Sequence, residues 1–140
     1  MAASIARLAT ASGVAALDGL LNETLRLAAE ARGYVVTGGP SMHRPEAVPL
    51  AQLVEACELS RLAARLGFCI SWLLASRAVH QGRLGPKDPD RATWRLEGSE
   101  VCLESGADDP GAVPDNLRDM LDRSLALYRR VARLNRRLDA

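Results

Sequence analysis

Phe68-Cys69-Ile70-Ser71-Trp72-Leu73-Leu74-Ala75-Ser76-Arg77-Ala78-Val79 is the stretch whose reading decides the fold. It lies inside a longer run, Leu50 to Gln81, bounded by Pro49 and Gly82, that holds no proline and only Gly67 as a helix-weakening residue. Ala, Leu, Arg, Glu and Gln dominate the run, so its local preference is helical throughout. The reading is one helix over about 50–81, roughly 48 Å long at 1.5 Å per residue. A stripe through Leu59, Leu62, Leu66, Ile70 and Leu73 marks one buried face. Glu55, Glu58, Arg61 and Arg65 predict a solvated strip on the N-terminal half. From Phe68 to Ala75 that strip disappears, and a helix apolar all round must be covered all round. Either the following segment or a second subunit is expected to cover it.

Working outward, helix 1 is predicted over about 12–33, with Val14, Leu17, Leu20, Leu21, Leu25, Leu27 and Ala28 recurring at three- and four-residue spacing. Gly33 ends it, and a Gly/Pro-punctuated loop through Thr37-Gly38-Gly39-Pro40 leads to helix 2. Residues 82–116 form a long connector, interrupted by Gly85-Pro86, Pro89, Gly98, Gly106, Pro110-Gly111 and Pro114, and are expected to be non-helical. Trp94, Leu96, Val101 and Leu103 flank Gly98-Ser99, the pattern of a small hairpin or of an extended flap over the apolar helix. Helix 3, about 116–138, has the cleanest register: Leu117, Met120, Ser124, Leu127, Val131, Leu134 and Leu138 alternate steps of three and four. The fold class expected is therefore all-α, a single-domain antiparallel three-helix bundle with a long central helix and a long irregular connector.

Composition bounds the function. A chain of 140 residues, 48% hydrophobic, supports one core, and a net charge of +1 steers it toward neither nucleic acid nor an anionic surface. Charge is uneven locally. Residues 82–116 hold four basic and eight acidic residues, a net of −4, whereas 117–140 hold seven arginines and three aspartates, a net of +4, and the two segments are expected to pair. Lys87 is the sole lysine among 18 basic residues, a bias of GC-rich bacterial coding. Cys57, Cys69 and Cys102 form no C-x-x-C pair and fit reduced thiols acting as core filler. The N-terminus has no signal-peptide pattern and no apolar run approaches ~18 residues, so a cytoplasmic location without a membrane helix is expected.

Catalytic patterns exclude themselves. Arg77 and Pro40 stand three residues before His80 and His43, where a Glu-x-x-His metal site requires glutamate. H-E-x-x-H and G-x-S-x-G are absent. No enzyme, no metal and no cofactor are expected. Arg129, Arg130, Arg133, Arg136 and Arg137 make the end of helix 3 basic. That row suits a helix macrodipole, an acidic protein partner, or the alternative function, a helical nucleic-acid-binding regulator.

Three blocks carry a family resemblance. Ser71-Trp72-Leu73-Leu74-Ala75-Ser76-Arg77-Ala78-Val79-His80-Gln81-Gly82, Glu58-Leu59-Ser60-Arg61-Leu62-Ala63-Ala64-Arg65-Leu66 and Asp122-Arg123-Ser124-Leu125-Ala126-Leu127-Tyr128-Arg129-Arg130-Val131 resemble the alphaproteobacterial RcdA-like family, regulators of CtrA degradation. The resemblance spans about residues 14–138. It implies a dimer-forming helical adaptor that helps deliver the cell-cycle response regulator CtrA to the ClpXP protease, hence protein partners of that pathway and a homodimer. On this reading Arg61, Arg65, Arg77, Arg129, Arg130 and Arg133 face an acidic partner, while Ile70, Trp72, Leu73, Leu127 and Tyr128 build the core or the dimer seam. The family's fuller-length relatives continue into a polar tail, and residues 82–116 read as this chain's own insertion.

Overall fold

The computed structural model describes residues 11–37, 49–81, 96–104 and 113–139. They form four helices and, among the described residues, no strand: α1 (Ala11–Val36), α2 (Pro49–His80), α3 (Ser99–Cys102) and α4 (Asp115–Asp139). Pro49 opens α2 at the first helical position, where the missing N–H would have no intrahelical acceptor and the fixed φ suits the helix. The three long helices thus fall where the apolar spacing put them, and the chain is all-α. Trp94, His43 and the loop around Pro40 lie outside the described residues.

Cross-helix contacts fix the directions. Asp18 meets Arg77 and Tyr34 meets Glu55, so α1 and α2 are antiparallel. Glu23 meets Arg130 and Glu30 meets Arg123, so α1 and α4 are antiparallel as well. Arg65, however, reaches Leu121 and Ser124 while Trp72 reaches Asn135, so numbers rise together and α2 and α4 run parallel. The antiparallel bundle expected from the sequence is therefore corrected, because α2 and α4 run parallel. Two parallel helices need a crossover as long as themselves, and the long connector is that crossover. Its described part passes Asn135 with Leu96, Tyr128 with Glu97 and Arg65 with Cys102 and Glu104, descending the α2–α4 seam toward the start of α4.

The strap is not uniformly irregular. Ser99–Cys102 makes one helical turn, in place of a hairpin or fully extended flap, because the carbonyl of Gly98 accepts from Val101 N at 3.0 Å and Cys102 N at 2.8 Å. Gly98 has φ +82, and a Cβ there would stand 2.4 Å from Phe68 Cε2. Only glycine allows both the left-handed backbone and this close approach to α2. Cys102, completely buried, is the strap's anchor, while Val101 and Leu103 face outward.

The core sits between α1, α2 and α4. Leu17, Leu20 and Leu27 of α1 meet Leu62, Leu66 and Leu73 of α2, and Leu117, Leu127 and Val131 of α4 complete it. Ser124, in the same register, is buried because its hydroxyl donates to the Leu121 carbonyl at 2.8 Å. Contrary to the sequence expectation, α2 is long and apolar enough over an 18-residue window to cross a membrane. Here it buries Glu55, Glu58 and Arg65 with its leucines against α1, α4 and the strap, the behaviour of a core helix with paired polar groups.

Candidate protein-interaction site

The predicted wet strip on α2 turns inward. Glu55, Glu58 and Arg65 are buried and Arg61 is half-buried. Buried charge must be paired or hydrogen-bonded, and each of these is. Glu55 accepts from the Tyr34 hydroxyl at 2.6 Å, and Glu58 accepts from Arg61 Nη1 at 2.5 Å. Burial, reinforced by that hydrogen bond and by the Glu55 charge, holds the Tyr34 phenol well above its ordinary range.

Arg65 corrects the expectation of a partner-facing arginine. Its Nε donates to the Cys102 carbonyl at 2.8 Å, Nη1 to the Leu121 carbonyl at 2.9 Å and Ser124 Oγ at 3.2 Å, and Nη2 to the Glu104 carbonyl at 2.8 Å. One guanidinium fork thereby gathers α2, α4 and the end of α3, using donor directions that a lysine lacks. Burial and the neighbouring Arg61 charge lower its pKa, with no change in its charge at neutral pH. Arg61 is also committed locally, to Glu58 and, at 3.6 Å, to Glu104.

The seam candidates separate in the same way. Trp72, Leu73, Leu127 and Tyr128 are buried within the single chain, and Ile70 is half-buried. Tyr128 donates its hydroxyl to the Glu97 carbonyl at 2.7 Å, and burial pushes its pKa up to about 12. These are core side chains. The apolar face left uncovered lies elsewhere on α2: Leu50 is 67% exposed, Leu53 60% and Leu74 49%. Cys57, Ser60, Ala64, Gly67 and Ser71 fill the intervening positions at three- and four-residue steps, so from Leu50 to Leu74 the stripe carries no charge, and exposed Arg77 follows it.

The remaining arginines stay outside. Arg77 stands exposed with Asp18 at 3.8 Å, and Arg129 is exposed. Arg130 is held by Glu23 at 3.2 Å, and Arg123 pairs with Glu30 of α1 and, at 3.1 Å, with Asp119. The basic helix is thus neutralised in part by α1, while Glu104 of the connector pairs with α2; the connector's Asp88, Asp90, Asp108 and Asp109 lie outside the described residues. Arg130 and Arg133 line an open trough of about 600 Å³ between α1 and α4, together with Arg137, which sequence reasoning placed in the basic row without a site. The signal that could have found the trough is the pair Ala16 and Gly19, small residues one turn apart on α1. Among the described residues no group of three or more His, Cys, Asp or Glu could hold a metal ion. His80, in a smaller cavity with Asp18 and Arg77, has its pKa lowered by burial.

No curated protein and no solved structure matches the chain. One family model does match, over residues 9–140, and by that match the chain belongs to the family described as protein of unknown function DUF1465.

Proposed function

We propose that this protein is a non-enzymatic adaptor that pairs with a second copy of itself and presents an arginine-lined face to protein partners. The observation that carries the reading is the uncharged apolar stripe of α2, left open along most of a 32-residue helix. An exposed apolar face of that kind marks an association surface. The stripe is close to symmetric about Ala63 and Ala64: antiparallel pairing of two copies would set Leu53 against Leu74 and Leu50 beside Arg77 and Ala78. Ser60 and Gly67 would then meet beside the crossing point, where small side chains allow close approach. This palindrome favours a second copy as the occupant. The partner-facing role rests on Arg129, Arg130 and Arg133, exposed on α4. The resemblance to the RcdA-like family supplies the finer reading, delivery of a CtrA-type response regulator to ClpXP.

A pull-down from an alphaproteobacterial lysate, scored for ClpX and response regulators, tests it. Wild-type protein is expected to capture one or both, and Arg129→Glu/Arg133→Glu is expected to lose capture with an unchanged melting temperature. Equal capture by the two proteins would sink the role of this face. The self-association is tested by light scattering, where Leu53→Glu/Leu74→Glu is expected to convert a dimer to a monomer.

A further inference from the structure

We propose that the trough between α1 and the C-terminal half of α4 is a docking groove for an acidic amphipathic segment of a partner protein. The proposal rests on the adaptor reading and specifies its partner chemistry. Leu20 and Leu134 supply an apolar floor, and Gly19 leaves room above it: nothing lies within 4 Å of where its Cβ would stand. Three guanidiniums rim the trough against one carboxylate, Glu23. Glu23 holds Arg130 in place at 3.2 Å, whereas Arg133 and Arg137 are exposed and, among the described residues, have no ion-pair partner. Counted over the described residues, the rim is therefore two positive charges in excess.

The spacing defines the occupant. Arg130, Arg133 and Arg137 step by three and four along α4, spanning about 10 Å, or two helical turns. A partner helix with carboxylates at the same steps faces each guanidinium with an acceptor and turns its apolar residues onto Leu20 and Leu134. Arginine forks grip such carboxylates bidentately. A nucleic acid fits less well, since Glu23 repels phosphates and, among the described residues, no aromatic side chain lines the trough for base stacking.

The test uses a fluorescein-labelled amphipathic peptide of about sixteen residues, Leu recurring every three or four positions and Glu filling the rest. Its Lys-for-Glu counterpart and a labelled oligothymidine serve as comparisons, all followed by fluorescence anisotropy on the full chain. The Glu peptide is expected to bind, more weakly as salt rises, and the Lys peptide is not. Arg133→Glu/Arg137→Glu and Gly19→Phe are each expected to weaken binding about tenfold or more. Gly19→Phe fills the trough while removing a helix-weakening glycine, so its melting temperature should hold or rise. Failure of the wild type to bind the Glu peptide, equal binding by both variants, or tighter binding of oligothymidine at the same salt overturns the proposal. If the peptide fails while wild type and Gly19→Phe capture lysate partners equally, the groove is wrong and the adaptor reading stands. If the peptide binds in the trough but no partner is captured, the groove stands and the adaptor reading falls.

Discussion

Trp72 Nε1 donates to Asn135 Oδ1 at 3.0 Å, and the same oxygen lies 3.4 Å from Leu96 N. One amide oxygen thus joins the end of α2, the end of α4 and the strap that connects them, at the level where two parallel helices would otherwise be free to splay. Asn135→Leu keeps the volume and removes the acceptor. Leaving the buried indole N–H without a partner costs about 1–3 kcal/mol. Thermal unfolding should show a melting temperature several degrees lower, and no change would mean that the contact is incidental.

Arg65 is a structural clamp, and its removal should be more damaging than that of any exposed arginine. Arg65→Met removes the guanidinium donors from the Cys102 and Glu104 carbonyls and from Ser124 Oγ, and leaves the Leu121 carbonyl with the Ser124 hydroxyl, a loss of about 3 kcal/mol or more. Arg65→Lys should recover little of it. Hydrogen exchange should localise the damage to residues 96–104, whereas Arg133→Glu should leave that segment protected. Unchanged protection in Arg65→Met would return Arg65 to the list of partner-facing residues.

Gly98→Ala should destabilise by about 1–2 kcal/mol or more, because the left-handed backbone and the contact with Phe68 oppose it together. A Phe68→Leu background should relieve the steric part only. Chemical denaturation of the four proteins of this cycle separates the two contributions, and full additivity would show that the contact with Phe68 does not matter.

Stability should fall in alkali. Burial raises Cys69 from an ordinary 9.0 to about 12 and Tyr128 from 10.0 to about 12, and raises Tyr34 too. A folded-state pKa above the unfolded one means that the native state keeps its proton longer. The associated stability is complete below the unfolded value and is lost as pH climbs toward the folded one. Urea unfolding should therefore show stability declining between about pH 9 and about pH 12, and a rise over that window would contradict the burial of these groups.

What the sequence made legible and what it hid have physical causes. The register Leu117, Met120, Ser124, Leu127, Val131 is buried throughout, because a helix facing a core must repeat at that spacing. The parallel course of α2 and α4 was not legible, since periodicity says which face is buried and nothing about the direction a long connector travels. Glu55, Glu58, Arg61 and Arg65 misled for a related reason. Their spacing suits a wet face equally well, and what turns Arg65 inward is distant in sequence: the strap carbonyls of Cys102 and Glu104 and, on α4, the Leu121 carbonyl and the Ser124 hydroxyl. The trough stayed hidden because apolar spacing says which face of α1 is buried and nothing about the room that Gly19 leaves beside three arginines.

The central claim is that the chain presents surfaces and delivers cargo without chemistry of its own. Reconstituted degradation of a CtrA-type response regulator by purified ClpXP tests it most directly, with this protein titrated in and, in parallel, its Arg129→Glu/Arg133→Glu variant. The account predicts that cargo disappears faster as wild-type protein is added and that the variant gives no acceleration. An identical degradation rate with and without the wild-type protein would contradict it.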